Sequence, residues 1–406
     1  MIELPHLLRR ARDTVQRTKQ YVGLAVNALG WTNDRPLTGP LYADISISDP
    51  CNHRCVMCHF HPPDKETPLS QFGGRQPGMM DMATFEQVTE DLYRLGTREV
   101  DLVGRGEPLL NPHALDMVAH AKKRGFRVKM ISNGSRLNAE RAGRLADLGL
   151  DLYQVSINAA RPETYPKIHV TETPADYLAL KANLKELTAA RARTRDRKPT
   201  VTLSFAIGAP NYAELVEMVD TIHEIGADAG HFQHWLPVTA EADATALSDA
   251  QYDELVTTLV PAATRRAAEL RVRTNLGAFA AAPPAYRLDR EETGPGVVPC
   301  YIGSYFTAIL SNGSVMPCCQ TQKSIDTLGK QGFEAIWHGD AYAEFRRAGR
   351  HLPAPSPALA TAQCDKCYFR PHNVAVHNML HPLARLRLRE QRVSLKHLVR
   401  MTRLDQ

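Results

Sequence analysis

The feature that most constrains the fold is a regular alternation of strand-like and helix-like segments along residues 43–236. Strand-like runs, rich in aliphatic and β-branched residues, are predicted at residues 43–48, 99–103, 127–132, 152–157, 201–207 and 231–236. Amphipathic helices are predicted between them at residues 82–95, 112–124, 138–148 and 211–225. Strands that alternate with helices form parallel sheets. The predicted fold class is therefore α/β, in the form of a partial (β/α)6 barrel.

Eight cysteines fall into two groups that lie about 240 residues apart. The first group, Cys51, Cys55 and Cys58, has C-x3-C-x2-C spacing directly after the first predicted strand. The second group is Cys300, Cys318, Cys319, Cys364 and Cys367. A secreted disulfide framework explains poorly a chain of 406 residues with ordinary hydrophobic content. Clustered thiols therefore indicate metal sites, and counting leaves both zinc and iron–sulfur clusters open, since His53, His59 and His61 lie nearby.

Polar and glycine residues follow the other predicted strands. The run GRGEP (residues 104–108) follows the second strand, Asn133-Gly134 follows the third, and Ser156 and Asn158 end the fourth. The carboxyl ends of parallel strands meet at one edge of a barrel, where functional residues collect. We therefore expect these residues to lie close to the first cysteine group.

Positive charge is concentrated at the two ends of the chain. The net charge is +5, but residues 1–30 carry +3 and residues 381–406 carry +5, which leaves the middle slightly acidic. The favoured interpretation is two amphipathic helices packed on the body, with contact to an anionic membrane surface or an acidic peptide as the alternative. No base-stacking aromatics accompany these charges, so nucleic acid is not an expected partner. No apolar run reaches 18 residues and no convincing signal peptide is present, so we expect a cytoplasmic protein.

Together, the cysteine spacing, the preceding strand and GRGEP resemble the radical S-adenosylmethionine (SAM) family. The resemblance implies that Cys51, Cys55 and Cys58 hold a [4Fe–4S] cluster whose open iron binds SAM. It further implies that Met57 packs against the adenine and that Glu107 and the glycines receive the cofactor's ammonium group. The implied cofactor-binding residues are Met57, Gly104, Gly106, Glu107, Asn133, Ser156 and Asn158.

The second cysteine group resembles the SPASM/Twitch auxiliary-cluster domains of the same family. Its features are C-x12-G-x4-C from Cys300 to Cys318, a predicted hairpin at 305–310 and 314–316, a helix-like segment at 332–347 and a closing C-x2-C. The resemblance implies one auxiliary [4Fe–4S] cluster, held by Cys300, Cys318, Cys364 and Cys367, with Cys319 left over. The absence of cysteines after Cys367 favours the single-cluster type, similar to that of 2-deoxy-scyllo-inosamine dehydrogenase. Spacing alone leaves a zinc ribbon open.

These patterns predict five segments. They are a basic N-terminal helical extension (1–40), the partial barrel (41–277), a linker rich in Ala, Pro and Gly (278–299), a small Fe–S hairpin-plus-helix domain (300–380) and a basic C-terminal helix (381–406).

The resemblance implies a radical SAM oxidoreductase. It would make a 5′-deoxyadenosyl radical, abstract hydrogen from a sugar, polyol or aminocyclitol-like substrate and oxidise the substrate radical through the auxiliary cluster. Flavodoxin or ferredoxin is the expected reductant. His231 and His234, on the sixth predicted strand, are candidate bases, although a structural role is favoured for each. Peptide modification, by cross-linking or by epimerisation with Cys319 as hydrogen donor, is the second hypothesis. A non-enzymatic zinc-stapled binding protein is the third.

Overall fold

The computed structural model describes residues 34–63, 66, 72–235, 240–281, 298–329, 331–352, 354, 356–362, 364, 367 and 369–381. These residues form one mixed sheet. Its strands are β1 (Tyr42–Ser46), β2 (Glu99–Val103), β3 (Arg127–Ser132), β4 (Leu152–Ser156), β5 (Thr200–Ile207), β6 (Ala229–His234), β7 (Arg273–Thr274), β8 (Phe306–Ile309), β9 (Ser314–Met316) and β10 (Asp326–Thr327). The spatial order is β10-β9-β8-β1-β2-β3-β4-β5-β6-β7.

Strands β1 to β7 are all parallel, as the alternation of strands and helices predicts. Each predicted strand is present, with ends that agree to within about two residues. The α/β fold class is thereby confirmed.

The C-terminal hairpin joins this sheet instead of standing apart from it. Strand β8 lies parallel to β1, with Tyr42 opposite Phe306, and β9 then runs antiparallel to β8. The hairpin turns at Gly313, whose φ of +80° lies in the left-handed region that favours glycine. The second cysteine group is therefore attached to the edge of the strand that leads into the first group.

Helices connect the strands and cover one face of the sheet. They are α1 (Met82–Arg94), α2 (Ala114–Arg124), α3 (Ala139–Asp147), α4 (Tyr165–Ile168), α5 (Pro174–Ala192), α6 (Leu215–Ile225), α7 (Ala240–Ala244), α8 (Asp249–Glu254), α9 (Val260–Leu270), α10 (Leu276–Ala281), α11 (Ile302–Tyr305), α12 (Phe333–Trp337), α13 (Asp340–Arg350) and α14 (Arg370–Leu380). A π-helical turn, Leu255–Leu259, joins α8 to α9. Among the described residues, no helix has the length and apolar character needed to span a membrane.

Two helical features differ from the sequence analysis. Helix α5, of 19 residues, lies between β4 and β5, where no helix was predicted. It begins with a capping box formed by Thr173 and Asp176 around Pro174, and this signal is readable in the sequence. The segment predicted as helix-like at 332–347 is two helices, α12 and α13, because α12 ends at His338 and Gly339 caps the start of α13.

The two faces of the sheet differ in chemistry. Alternate residues such as Ile45, Leu102, Val155 and Leu203 are fully buried in the core beneath the helices. The intervening residues point the opposite way, and we call this surface the inner face. Its polar members include Asp44, Asp101, Lys129, Gln154, Ser156, Thr202, Ser204 and His231.

The predicted basic helices at both ends of the chain and most of the predicted linker lie outside the described residues.

Candidate functional site

The first cysteine group follows β1 and is fixed to the segment after α4. Cys55 forms an isolated antiparallel bridge with His169. On either side, Val56 N donates to Ile168 O at 3.0 Å and Val170 N donates to Arg54 O at 2.9 Å. A cysteine loop of irregular backbone is thus held in place by backbone hydrogen bonds from a distant segment.

Each sulfur of this loop has a nitrogen beside it. His53 N donates to Cys51 Sγ at 3.4 Å, and His61 N donates to Cys58 Sγ at 3.2 Å. Burial raises the pKa of the Cys51 thiol to about 11 and the pKa of Cys55 well above its usual range. Thiols with a raised pKa stay protonated near neutral pH, and coordination to a metal would deprotonate them. Hydrogen bonds to the sulfurs are a feature of cluster-binding sites. The donor set fits a [4Fe–4S] cluster with one iron left open.

The glycines of GRGEP are explained by the backbone of the cysteine loop. A Cβ on Gly106 would lie 2.0 Å from Pro50 O, and one on Gly104 would lie 2.5 Å from Ser48 O. Gly106 N donates to Ser48 O at 3.1 Å, and Glu107 N donates to Pro50 O at 2.9 Å. The loop after β2 therefore supports the residues that lead into Cys51, a requirement separate from any contact with a cofactor.

Glu107 is almost fully buried, and protein groups occupy most of its carboxylate. Oε1 accepts from Leu109 N at 2.9 Å and from Ser132 Oγ at 2.8 Å, while Oε2 accepts from Asn133 N at 2.7 Å. Burial raises its pKa although these bonds favour the charged form. A carboxylate has about four acceptor positions, so one remains on Oε2 for a cofactor's ammonium group. The carboxylate's main visible role is to join the loops after β2 and β3.

The remaining predicted cofactor contacts at the strand ends are Asn133, Ser156 and Asn158. Asn133 lies beside the cysteine loop, with Nδ2 at 3.2 Å from Asn52 Oδ1 and 3.9 Å from Cys51 Sγ. Ser156 ends β4 and is half-buried on the inner side. Asn158 instead has φ of +53°, and its Oδ1 accepts from Ala206 N at 2.9 Å. The Asn158 side chain thus ties the end of β4 to β5.

Met57 packs against a small apolar cluster of Ile168, Trp235 and Ala242. It lies in the cysteine loop, where a flexible thioether can adapt to a flat apolar ligand.

Four cysteines of the second group line one cavity. Cys300, Cys318, Cys364 and Cys367 surround it together with apolar side chains such as Phe345. Asn373 Nδ2 lies 3.6 Å from Cys300 Sγ, and burial raises the pKa of Cys300 to about 12. Cys318 is buried and the other three cysteines are partly buried. Four such thiols with an amide donor and apolar walls fit a fully ligated cluster.

Cys319 does not line this cavity, in keeping with the opposite directions of adjacent side chains. Cys319 packs against the apolar cluster that contains Cys318, and Tyr42 at the start of β1 packs against the same cluster.

A second possible ligand set involves histidines that the sequence analysis did not combine. One ligand atom each from His53, Cys55 and His169 lie within 4.8 Å of one another. His169 Nδ1 is 3.0 Å from Cys55 Sγ, and its Nε2 is 3.3 Å from Ile157 O. No local spacing connects His169 to the cysteines, since they are 114 residues apart. Only the bridge between the two segments brings them together.

The two candidate bases lie on opposite faces of β6. His231 is on the inner face; burial lowers its pKa to about 4, and its Nδ1 has no hydrogen-bond partner among the described residues. His234 stacks on Phe279 with ring centroids 4.0 Å apart, on the side of the helices. The geometry thus gives His234 a packing role and leaves His231 available for chemistry.

Comparison with known families agrees with this arrangement. Residues 45–189 match the model of the radical SAM superfamily, and residues 300–368 match the SPASM iron–sulfur cluster-binding domain. The chain therefore contains a radical SAM domain followed by a SPASM domain. These two domains imply a SAM-binding [4Fe–4S] cluster and an auxiliary iron–sulfur cluster. The matches favour iron–sulfur clusters over the zinc alternative.

Individual relatives have low sequence identity to this chain. The chain is 29% identical over 213 residues to the tungsten-containing aldehyde ferredoxin oxidoreductase cofactor-modifying protein of Pyrococcus furiosus, which covers 52% of this chain and 55% of that protein. It is 26% identical over 320 residues to the PqqA peptide cyclase of Ruegeria pomeroyi, covering 77% and 78%. The chain spans about half, or less, of the length of several curated relatives.

Among solved structures, Streptococcus suis SuiB bound to S-adenosylmethionine has a TM-score of 0.57 at 15% identity, covering 85% of this chain and 76% of that chain. This likeness concerns the fold.

Proposed function

We propose that this protein is a radical SAM oxidoreductase that oxidises a polar small molecule held against the inner face. The observation that carries the proposal is the placement of two separate thiol sets on one sheet. Cys51, Cys55 and Cys58 follow β1, and the four-cysteine cavity adjoins β8, which is hydrogen-bonded to β1. Cys51, Cys55 and Cys58 would hold the cluster that binds SAM, which would supply the radical that removes a hydrogen atom, and the four-cysteine cavity would hold the cluster that accepts one electron. One proton would then remain to be removed.

The chain's own residues then do three things. Gly106 N and Glu107 N hold the cysteine loop by donating to Ser48 O and Pro50 O, and the Glu107 carboxylate accepts from Asn133 N. The inner face orients the substrate by hydrogen bonding. His231 accepts the proton, because its imidazole is neutral near pH 7 and its Nδ1 has no partner among the described residues.

Anaerobic reconstitution tests the proposal. We expect about eight irons per chain and formation of 5′-deoxyadenosine after reduction, with flavodoxin or ferredoxin as candidate physiological reductants. Cys51→Ala should abolish 5′-deoxyadenosine, whereas Cys300→Ala should keep its formation and lose substrate oxidation. Exposed Asp147→Asn serves as the control. A colourless zinc protein that never cleaves SAM would overturn the proposal.

Peptide modification is the second candidate, and the likeness to a PqqA peptide cyclase over 77% of this chain favours it. In that case the substrate radical would be cross-linked or epimerised. Incubating the reduced protein separately with fractionated small molecules and peptides distinguishes the two, since the fraction that raises 5′-deoxyadenosine above background contains the substrate. Solvent deuterium would enter the product only in an epimerisation, and a Cys319→Ala variant would block that step if Cys319 donates the hydrogen.

A further inference from the structure

The inner face carries buried acceptor oxygens without donors. Asp44, Asp101 and Lys129 lie side by side on β1, β2 and β3. Lys129 Nζ donates to Asp101 Oδ2 at 3.0 Å, which leaves Asp101 Oδ1 without a partner among the described residues. In that same part of the chain, no hydrogen bond or salt bridge reaches the Asp44 carboxylate. Lys129 is thus hydrogen-bonded to Asp101, whereas Asp44 receives only longer-range attraction from Lys129 and Arg105.

Buried side-chain oxygens without a hydrogen-bond partner among the described residues also lie on β4 and β5. Gln154 Nε2 donates to Ser204 Oγ at 2.6 Å, but Gln154 Oε1 has no partner among the described residues although the side chain is only 7% exposed. Thr202, opposite Gln154 in the register, is fully buried and its hydroxyl has no partner there either. Buried polar groups are nearly always hydrogen-bonded, so these acceptors need a donor from outside the described side chains, which is either ordered water or a bound ligand.

The charged inner-face residues nearer the amino ends of the strands do have partners. Arg127 NH1 lies 3.3 Å from Glu99 Oε2, so those charges are paired within the protein. The unpaired acceptors are therefore confined to the middle of the inner face, nearer the strand ends where the first cysteine group lies.

From these contacts we infer that the inner face binds a primary amine that also carries hydroxyl groups, with the ammonium on Asp44 and donors directed at Asp101 Oδ1 and Gln154 Oε1. The inference rests on the proposed function, because it names the substrate class of the same site. An ammonium group beside Asp44 supplies the hydrogen-bond donor that no described side chain gives to this carboxylate. A phosphorylated or acidic substrate would instead place negative charge against two carboxyl groups. The amine can belong to a free amino polyol or to a lysine side chain among serines.

Supporting this, burial and the neighbouring Asp101 raise the pKa of Asp44 to about 8, so that without a cation its carboxyl group holds a proton near neutral pH.

The test measures binding to the reconstituted protein by anaerobic calorimetry, separately from SAM cleavage. The probes are D-glucosamine, N-acetyl-D-glucosamine and D-glucose, and a Ser-Lys-Ser peptide with its lysine-acetylated form. We expect at least one amine to bind about tenfold or more tightly than its acetylated counterpart. Glucosamine binding indicates a small molecule, and preference for the peptide indicates a peptide source.

Asp44→Asn keeps the shape of the side chain and should remove the preference for the amine, whereas the same change at exposed Asp147 should not. Thr202→Val provides a second variant, expected to weaken glucosamine and glucose alike. If no amine binds better than its acetylated form, or if Asp44→Asn retains the preference, the inference is overturned. Because reduced protein without substrate still reports SAM cleavage, failure of the binding result leaves the proposed radical function separately measurable.

Discussion

Substituting Gly106 by alanine should separate the loop after β2 from the first cysteine group. The added Cβ would lie 2.0 Å from Pro50 O and 2.2 Å from Asp49 O, and Cβ atoms essentially never come within 3.0 Å of such neighbours. Both neighbours are backbone atoms, so the loops must move apart by about 1 Å. Overpacking costs about 1–3 kcal/mol, and two lost hydrogen bonds cost about 0.5–1.5 kcal/mol each. Together, the free energy of unfolding should fall by about 2–6 kcal/mol.

Gly143→Ala is the matched control. Gly143 lies inside α3, and its added Cβ has no neighbour within 4 Å, so alanine should stabilise that helix by up to about 1 kcal/mol.

The assay compares iron content after anaerobic reconstitution with the guanidinium midpoint of each variant. Gly106→Ala should lose about four of roughly eight irons and unfold at lower denaturant, while Gly143→Ala should keep all of them. Full iron content and unchanged SAM cleavage in Gly106→Ala would refute the reasoning that this glycine supports the cysteine loop.

Three other results are expected. In Glu107→Gln, the amide NH2 group faces a buried N–H in either orientation, for example that of Asn133. Urea denaturation should therefore show a free energy of unfolding lower by about 1–3 kcal/mol. An unchanged midpoint would contradict the hydrogen bonds described for Glu107. The folded-state pKa of His231, about 4, is below its unfolded value of 6.5, so stability is lost as pH falls through that window. In His231→Gln the pH dependence of the unfolding free energy between those values should shrink by about 3 kcal/mol, and an equally steep dependence would argue against a buried neutral imidazole. Cys318→Ser should lower the iron content by about four per chain whereas Cys319→Ser should not, and equal losses would show that the two thiols are not distinguished as proposed.

Much of the parallel sheet could be predicted because its signal is local. The alternation of aliphatic strands with amphipathic helices predicts β1 to β6, and the turn Asn312-Gly313 predicts the hairpin. What could not be predicted is pairing between distant segments. No spacing in the sequence predicts that β8 pairs with β1 or that Cys55 forms a bridge with His169.

The candidate site shows the same division. Cysteine spacing separates two thiol sets, and the structure brings four of the five later cysteines to one cavity. The resemblance implies that the glycines of GRGEP receive a cofactor's ammonium group, while the constraint visible in the structure is the backbone of the cysteine loop. Asn158 is a predicted cofactor contact by its position at a strand end, and in the structure its side-chain oxygen Oδ1 accepts from Ala206 N. A polar residue at a strand end therefore predicts where the site lies better than it predicts which group that side chain binds.

The pairing of β8 with β1 also affects how the chain is made. Strand β1 needs β2 on one side and β8 on the other, and more than 200 residues separate β2 from β8. At ribosomal rates of about 5–20 residues per second, the outer edge of β1 stays unpaired for about 10–40 s during synthesis. Ser311 on the hairpin also donates to buried Asp49, just before Cys51, so the cysteine loop gains its last support equally late. Assembly of the metal centres is therefore expected to follow translation, with a nascent strand edge that cellular chaperones have to protect until the hairpin emerges.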